Sequence, residues 1–216
     1  MRGVFSSSIG RKAVMAITGL FLFIFLIVHL GGNLLLLKQD SGAAFNTYAE
    51  ILESSILIRI SEFILIFGFL FHIIEAILLT IKNKKARPIG YAVVNASANS
   101  TWASRNMDLT GSVIFVFLVI HLKSFTIDNR LMGANETMYQ SVITAFSSWW
   151  YCLIYIISII FLGIHLRHGV QSAFQSLGIS YHNKLFLLFH KIIKVLTIGI
   201  IVSFIIIPVI IYFKQI

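Results

Sequence analysis

Five long apolar stretches run through this chain, and each is continuous rather than alternating between apolar and polar positions. They cover Ala13–Leu37, Ile60–Ile81, Leu109–Ile127, Trp149–Gln171 and Lys191–Phe213. A helix needs about 20 residues to cross the hydrocarbon core of a bilayer, whereas the strands of a membrane barrel alternate along their length. The pattern therefore predicts an all-α membrane protein, with five transmembrane helices in a single domain over residues 1–216.

The composition is also typical of a membrane protein. The chain is 58% hydrophobic and 12% charged, whereas soluble domains are about 25% charged. Its formal net charge of +9 does not indicate nucleic-acid binding, because the charges follow the helix ends. If the N-terminus is cytoplasmic, twelve of the 17 Lys and Arg residues fall on the cytoplasmic side. This positive-inside bias predicts a multi-pass protein of the cytoplasmic membrane with its N-terminus in the cytoplasm.

Each of the first four apolar stretches contains a histidine: His29, His72, His121 and His165. Around His29 and His121, the segments "ITGLFLFIFLIVHL" and "LTGSVIFVFLVIHL" agree at seven of 14 positions. Because the helices alternate in direction and rise 1.5 Å per residue, His29 and His121 are predicted in the outer half of the membrane. His72 and His165 are predicted in the inner half, about 10–15 Å away in height.

Four intramembrane histidines paired by depth indicate a cofactor, although any one of them alone could simply bond a neighbouring carbonyl. Two facing imidazoles ligate haem iron, and helix bundles build such sites from facing helices, whereas zinc needs four ligands. Glycines that would give a porphyrin room, or serve helix contact, are Gly19, Gly31, Gly32, Gly68, Gly111 and Gly163. The sequence predicts that helices one to four form a bundle with two stacked b haems, an outer one on His29 and His121 and an inner one on His72 and His165.

Five segments of the chain resemble a known family. They read "SSSIGRKAVMAITGLFLFIFLIVHLGGNLLL", "FHIIEAILLTIKNKKARP", "STWASRNM", "TGSVIFVFLVIHL" and "GIHLRHGVQSAFQSLG". From Ser6 to about Gly178 the chain resembles the single-chain, two-haem cytochrome b of succinate:quinone oxidoreductases, which include quinol:fumarate reductases. The resemblance is to the Bacteroidetes type of this membrane anchor.

This resemblance implies a role in a bacterial cytoplasmic membrane. The chain would anchor a flavoprotein subunit and an iron–sulfur subunit, and succinate and fumarate would react on the flavoprotein. Electrons would pass between the iron–sulfur subunit and menaquinone through the two haems, in either direction. The iron ligands of the family map onto the same four histidines, and the spacing to Gly178 selects His165 over His168.

The resemblance implies one further role, at the outer quinone site. Glu50, or less favourably Glu53, corresponds to a carboxylate at the outer quinone site, where quinone chemistry needs a proton donor. Acidic residues of an outer loop also commonly face water. Arg11, Arg105 and His168 are candidate partners for haem propionates at the inner surface, where the positive-inside bias also places cations.

One position departs from the family pattern. Some relatives have a glutamate, proposed to conduct protons, two residues before the helix-four ligand. Here that position is Gly163, so the resemblance does not extend to that proton route.

Two other functions remain open from the sequence. One is the di-haem b subunit of a hydrogenase or formate dehydrogenase, although their motifs are not recognised here. The other is a transporter whose histidines relay protons or bind a metal. Against the transporter, helices one to four do not have the Gly/Pro-interrupted segments typical of transporter sites.

Overall fold

The computed structural model describes residues 7–86, 101–131, 136–179 and 184–214. The described residues contain no strand, and five of their helices are long and apolar enough to cross a membrane. These spans are Ile9–Leu37, Ile56–Ala86, Met107–Asn129, Trp149–Ser176 and His190–Lys214. The prediction of an all-α protein with five transmembrane helices is confirmed.

The described helices are α1 (Ser8–Leu34), α2 (Ala43–Ser54), α3 (Ile56–Ala86), α4 (Trp102–Arg105), α5 (Met107–Leu122), α6 (Met138–Phe146), α7 (Trp149–Ser176) and α8 (Lys184–Lys214). A 3-10 turn, Leu35–Leu37, extends α1, and a π-helical segment, Lys123–Leu131, extends α5. Most helices run past the predicted spans, as α3 does through Lys84 and Lys85. Apolar run length marks the membrane crossing and not the end of the helix, because charged residues continue a helix into water.

The sequence did not predict α2 and α6, since each is too short to cross a membrane. Gly42, at φ +84°, precedes α2, and a capping box at Thr137 starts α6. The two helices pack together, and the backbone N–H of Tyr139 donates to Asn46 Oδ1 at 3.0 Å. They cover the end of the bundle opposite to the start of α1.

The transmembrane helices are antiparallel neighbours in the order α3, α1, α7, α5. The helix α8 packs on the other side of α1 and α7. A core of Phe23, Leu166, Val170 and Ile200 joins these three helices. We call the end where α1 starts the lower end of the bundle and the opposite end the upper end. In this arrangement α1 is diagonal to α5, and α3 is diagonal to α7.

Candidate functional site

The histidines of α3 and α7 meet across one diagonal of the bundle and form what we call the lower pair. The ring centroids of His72 and His165 are 6.3 Å apart, with 69° between the ring planes. A threonine of the preceding transmembrane helix holds each ring. The hydroxyl of Thr18 is 3.2 Å from His72 Nδ1, and that of Thr110 is 3.2 Å from His165 Nδ1.

The two threonines also bond carbonyls of their own helices. Thr18 Oγ1 donates to the Val14 carbonyl at 2.9 Å, and Thr110 Oγ1 donates to the Met107 carbonyl at 3.1 Å. A hydroxyl whose proton is used in this way has an oxygen that can accept from an imidazole N–H. This arrangement favours the tautomer of both lower-pair histidines that has its proton on Nδ1 and a free lone pair on Nε2.

The lower pair follows an internal repeat that extends beyond the two 14-residue segments around His29 and His121. Thr18 precedes His72 by 54 residues, and Thr110 precedes His165 by 55. In both cases a threonine hydroxyl lies within hydrogen-bond distance of a histidine on the next transmembrane helix, from α1 to α3 and from α5 to α7. The chain thus contains two similar helix pairs, α1 with α3 and α5 with α7, and each contributes one histidine to the lower pair.

The histidines of α1 and α5 meet across the other diagonal and form the upper pair. The ring centroids of His29 and His121 are 5.8 Å apart, and their planes are nearly perpendicular at 88°. His121 Nδ1 is 3.1 Å from the hydroxyl of Tyr155. On the other ring, Phe25 stacks on His29 at 5.3 Å and Phe204 of α8 lies at 5.9 Å.

The two pairs lie at different heights in the bundle. The lower pair is level with Thr18 and Thr110, and the upper pair lies eleven residues further along the same helices. At 1.5 Å per residue this places the pairs about 16 Å apart along the bundle. The structure thus brings together the histidines that were predicted as partners, at two heights.

The ring separation in both pairs would allow the two imidazoles to hold one haem iron. Imidazole nitrogens bind first-row metals at about 2 Å, so two rings on opposite sides of one ion have centroids about 6 Å apart. The observed separations are 5.8 and 6.3 Å. On His72, His165 and His121, a hydroxyl beside Nδ1 can supply the outer hydrogen bond that metal-ligating histidines almost always make.

The glycines differ in what they adjoin. A Cβ on Gly19 would lie 3.3 Å from His72 Cε1, and one on Gly111 would lie 3.8 Å from His165 Cε1. These two leave room beside the lower pair. By contrast, Gly68 adjoins Phe21, and a Cβ on Gly163 would lie 3.3 Å from Ile201 of α8. Gly163 therefore serves helix packing, and a larger residue there would require the Ile201 side chain to shift.

Gly31 and Gly32 lie just above His29 and also differ. A Cβ on Gly31 would have no other atom within 4 Å, whereas one on Gly32 would overlap the ring of Tyr48. Tyr48 belongs to α2, as does Glu50, whose side chain is exposed. The structure therefore packs Tyr48 against Gly32, one turn above His29, and it places Glu50 on the outer surface of the same helix.

The predicted propionate partners lie toward the lower end of the bundle. Arg11 Nη1 is 3.8 Å from Glu75 Oε2, which is buried and has no hydrogen-bond partner among the described residues. Glu75 is one turn below His72 on α3. Arg105 is exposed on α4, which packs against α7, and His168 is partly buried one turn below His165.

No protein-family model, curated protein or solved structure matches this chain.

Several residues of the site did not stand out in the sequence. Tyr155 and Phe204 lie in apolar stretches, where an aromatic residue is usually part of the core. The repeated Thr-Gly pair was visible, but its contact with the histidine of the next helix was not. The Thr-to-His spacing of 54 or 55 residues occurs in both helix pairs, but spacing alone does not show that the two side chains touch.

Proposed function

We propose that this protein is the membrane-anchoring di-haem cytochrome b subunit of a succinate:quinone oxidoreductase. The observation that carries the haem assignment is that the four histidines meet as two pairs, with ring centroids 5.8 and 6.3 Å apart. In the lower pair each Nδ1 lies 3.2 Å from a threonine hydroxyl, so each ring can keep its proton there and leave Nε2 for a metal. Two facing imidazoles at this separation can hold one metal ion between them, as the iron of a b haem requires.

The other features of the bundle support the same assignment. No group of three or more His, Cys, Asp or Glu side chains suited to a metal comes together in the described ranges. Protein zinc sites usually have three or four protein ligands, whereas a haem iron needs only two axial ones. Each histidine pair provides two ligands from diagonally opposed helices.

The residues of this chain then have distinct roles. His29 and His121 hold the upper haem, and His72 and His165 hold the lower one. A bound haem supplies a carrier that accepts and releases one electron at each height. Arg11, Arg105 and His168 are proposed to pair with propionates at the lower end, and Glu50 to serve menaquinone at the upper end.

The family resemblance supports the assignment to a succinate:quinone oxidoreductase. It assigns a flavoprotein and an iron–sulfur subunit to the lower end, and the charge bias supports a cytoplasmic position for that end. Electrons then cross from the iron–sulfur subunit through the lower and upper histidine pairs to menaquinone, or in reverse. In this proposal dicarboxylate chemistry takes place on the partner flavoprotein.

The haem proposal is tested on the full chain purified from membranes in mild detergent. A dithionite-reduced minus oxidised spectrum with a haem count should give two low-spin b haems per chain. A folded preparation without haem would overturn the proposal and favour a proton or metal transporter.

The succinate proposal needs a separate test on the intact complex. A flavoprotein and an iron–sulfur subunit should co-purify, and succinate should reduce both haems. Co-purification of hydrogenase or formate dehydrogenase subunits, with no reduction by succinate, would overturn this part and leave the haem assignment in place.

A further inference from the structure

We propose that Tyr155 is a positioning residue for the upper histidine pair and sets the redox potential of the upper haem apart from that of the lower one. The inference rests on the proposed haem function. It comes from a chain of buried hydroxyls that starts at His121 and that the sequence did not indicate.

The hydroxyl chain has three links. His121 Nδ1 is 3.1 Å from the Tyr155 hydroxyl, which is 3.3 Å from the Tyr151 hydroxyl. Tyr151 in turn donates to Ser124 Oγ at 2.8 Å. Because Tyr151 uses its proton on Ser124, its oxygen accepts from Tyr155, and the oxygen of Tyr155 is left to accept from His121.

The surroundings of the chain hold both phenols in place. Tyr151 is 8% exposed and Tyr155 is 5% exposed. Phe146 lies 4.9 Å from the ring of Tyr155, and Phe117 lies 4.8 Å from it. Rings packed on several sides cannot turn away from their partners, so the orientation of His121 is fixed through Tyr155.

The π-helical segment brings the last member of the chain into position. Ser124 is the second residue of this segment, three residues after His121. A π-helix makes wider turns than an α-helix and changes which side chains face the neighbouring helix. The Ser124 carbonyl also accepts from Asn129 Nδ2 at 3.1 Å, a bond across five residues that belongs to the segment.

The repeat shows that this chain belongs to one half of the molecule. Tyr155 stands ten residues before His165, and the residue ten before His72 is Glu62. Glu62 pairs with Arg59 at 3.1 Å. The hydroxyl chain is therefore a feature of the second helix pair. The Thr–His contact, by contrast, is common to both pairs.

The hydroxyl chain has a defined chemical consequence. Hydroxyls that donate in sequence polarise one another, so Tyr155 becomes a better acceptor than a lone phenol. A stronger acceptor on Nδ1 makes the imidazole a better electron donor to iron. This favours the oxidised iron, so removal of the phenol hydroxyl should raise the potential of the upper haem.

The experiment is a potentiometric titration of the haem absorption bands in the purified full chain. The Tyr155→Phe variant keeps the ring and loses only the hydroxyl. We expect the titration wave of the upper haem (the upper wave) to move to a more positive potential. The titration wave of the lower haem (the lower wave) should stay where it is. The matched control is Thr110→Val, which removes the hydroxyl on His165 and should move only the lower wave.

A second variant keeps the proposal testable if Tyr155→Phe fails to fold. Tyr151→Phe does not touch His121 and removes the group that polarises Tyr155. It should move the upper wave in the same direction by a smaller amount. If neither tyrosine variant moves the upper wave, or if both waves move equally, the inference is wrong. If the wild-type chain contains no haem, the proposed function fails first, so the two failures are distinguishable.

Discussion

The lower and upper histidine pairs have similar separations but are held by different means. Threonine hydroxyls, whose own protons are used by helix carbonyls, hold both rings of the lower pair. In the upper pair, a buried phenol holds His121, and the rings of Phe25 and Phe204 flank His29. Two sites built on one repeat can therefore differ in their electronic properties through neighbours alone.

The largest effect is expected from removal of one histidine from each pair. The His72→Ala and His29→Ala variants should each lower the haem content from two per chain to one. Iron with a single axial histidine loses half of its protein ligation. The spectrum of the remaining haem should differ between the two variants, because different sites are left. His168→Ala should keep both haems, because His168 is proposed to pair with a propionate and not with the iron. Loss of the low-spin spectrum of the lower haem in this variant would reassign the iron ligand.

A side chain at Gly19 should disturb the lower pair alone. A Cβ there lies 3.3 Å from His72 Cε1, and overpacking of this kind costs about 1–3 kcal/mol. We expect Gly19→Val to weaken haem retention at the lower site by about 10- to 100-fold, measured by haem loss to an apoprotein acceptor. Gly31→Val is the matched control on the same helix, because its Cβ meets open space. Equal losses in the two variants would contradict the assigned geometry.

Removal of a threonine hydroxyl should have a smaller effect on the same site. In Thr18→Val, the Nδ1–H of His72 loses its acceptor, and an unsatisfied buried donor costs about 1–3 kcal/mol. The proton can also move to Nε2, so part of that cost becomes weaker ligation. We expect about tenfold weaker retention of the lower haem and no change in the upper one.

The control for this variant is Thr197→Val on α8. Thr197 is buried and makes the same bond to its own helix, to the Ile193 carbonyl at 2.8 Å. It holds no histidine, so haem retention should be unchanged. A similar loss in both threonine variants would mean that the effect is general destabilisation.

The smallest expected difference is spectroscopic and needs no substitution. The imidazole planes are 88° apart in the upper pair and 69° apart in the lower pair. Perpendicular planes keep two iron d orbitals close in energy, which gives a strongly anisotropic low-spin signal in electron paramagnetic resonance. Two such signals are expected, the more anisotropic one from the upper haem. The single-haem variants show which signal belongs to which haem. If the more anisotropic signal comes from the lower haem, the angles are wrong.

Apolar run length was sufficient to predict the five transmembrane helices. Water is absent from the bilayer core, so backbone groups there must bond within the helix, and no tertiary contact is needed to decide that. The short helices α2 and α6 escaped prediction for the same reason, since they lie outside the core and depend on caps and packing.

The sequence by itself determined the depth of each histidine and therefore which ones share a height, because helix rise and alternating direction are fixed by geometry. Only the tertiary structure decided which neighbours hold each ring. Thr18 and His72 are 54 residues apart, and His121 and Tyr155 are 34 apart. Their contacts depend on how each helix is rotated about its axis, and that rotation is set by side-chain packing, such as that of Phe21 on Gly68 and Ile201 on Gly163. An apolar stretch that is hydrophobic on all sides gives no periodic signal from which the rotation can be read.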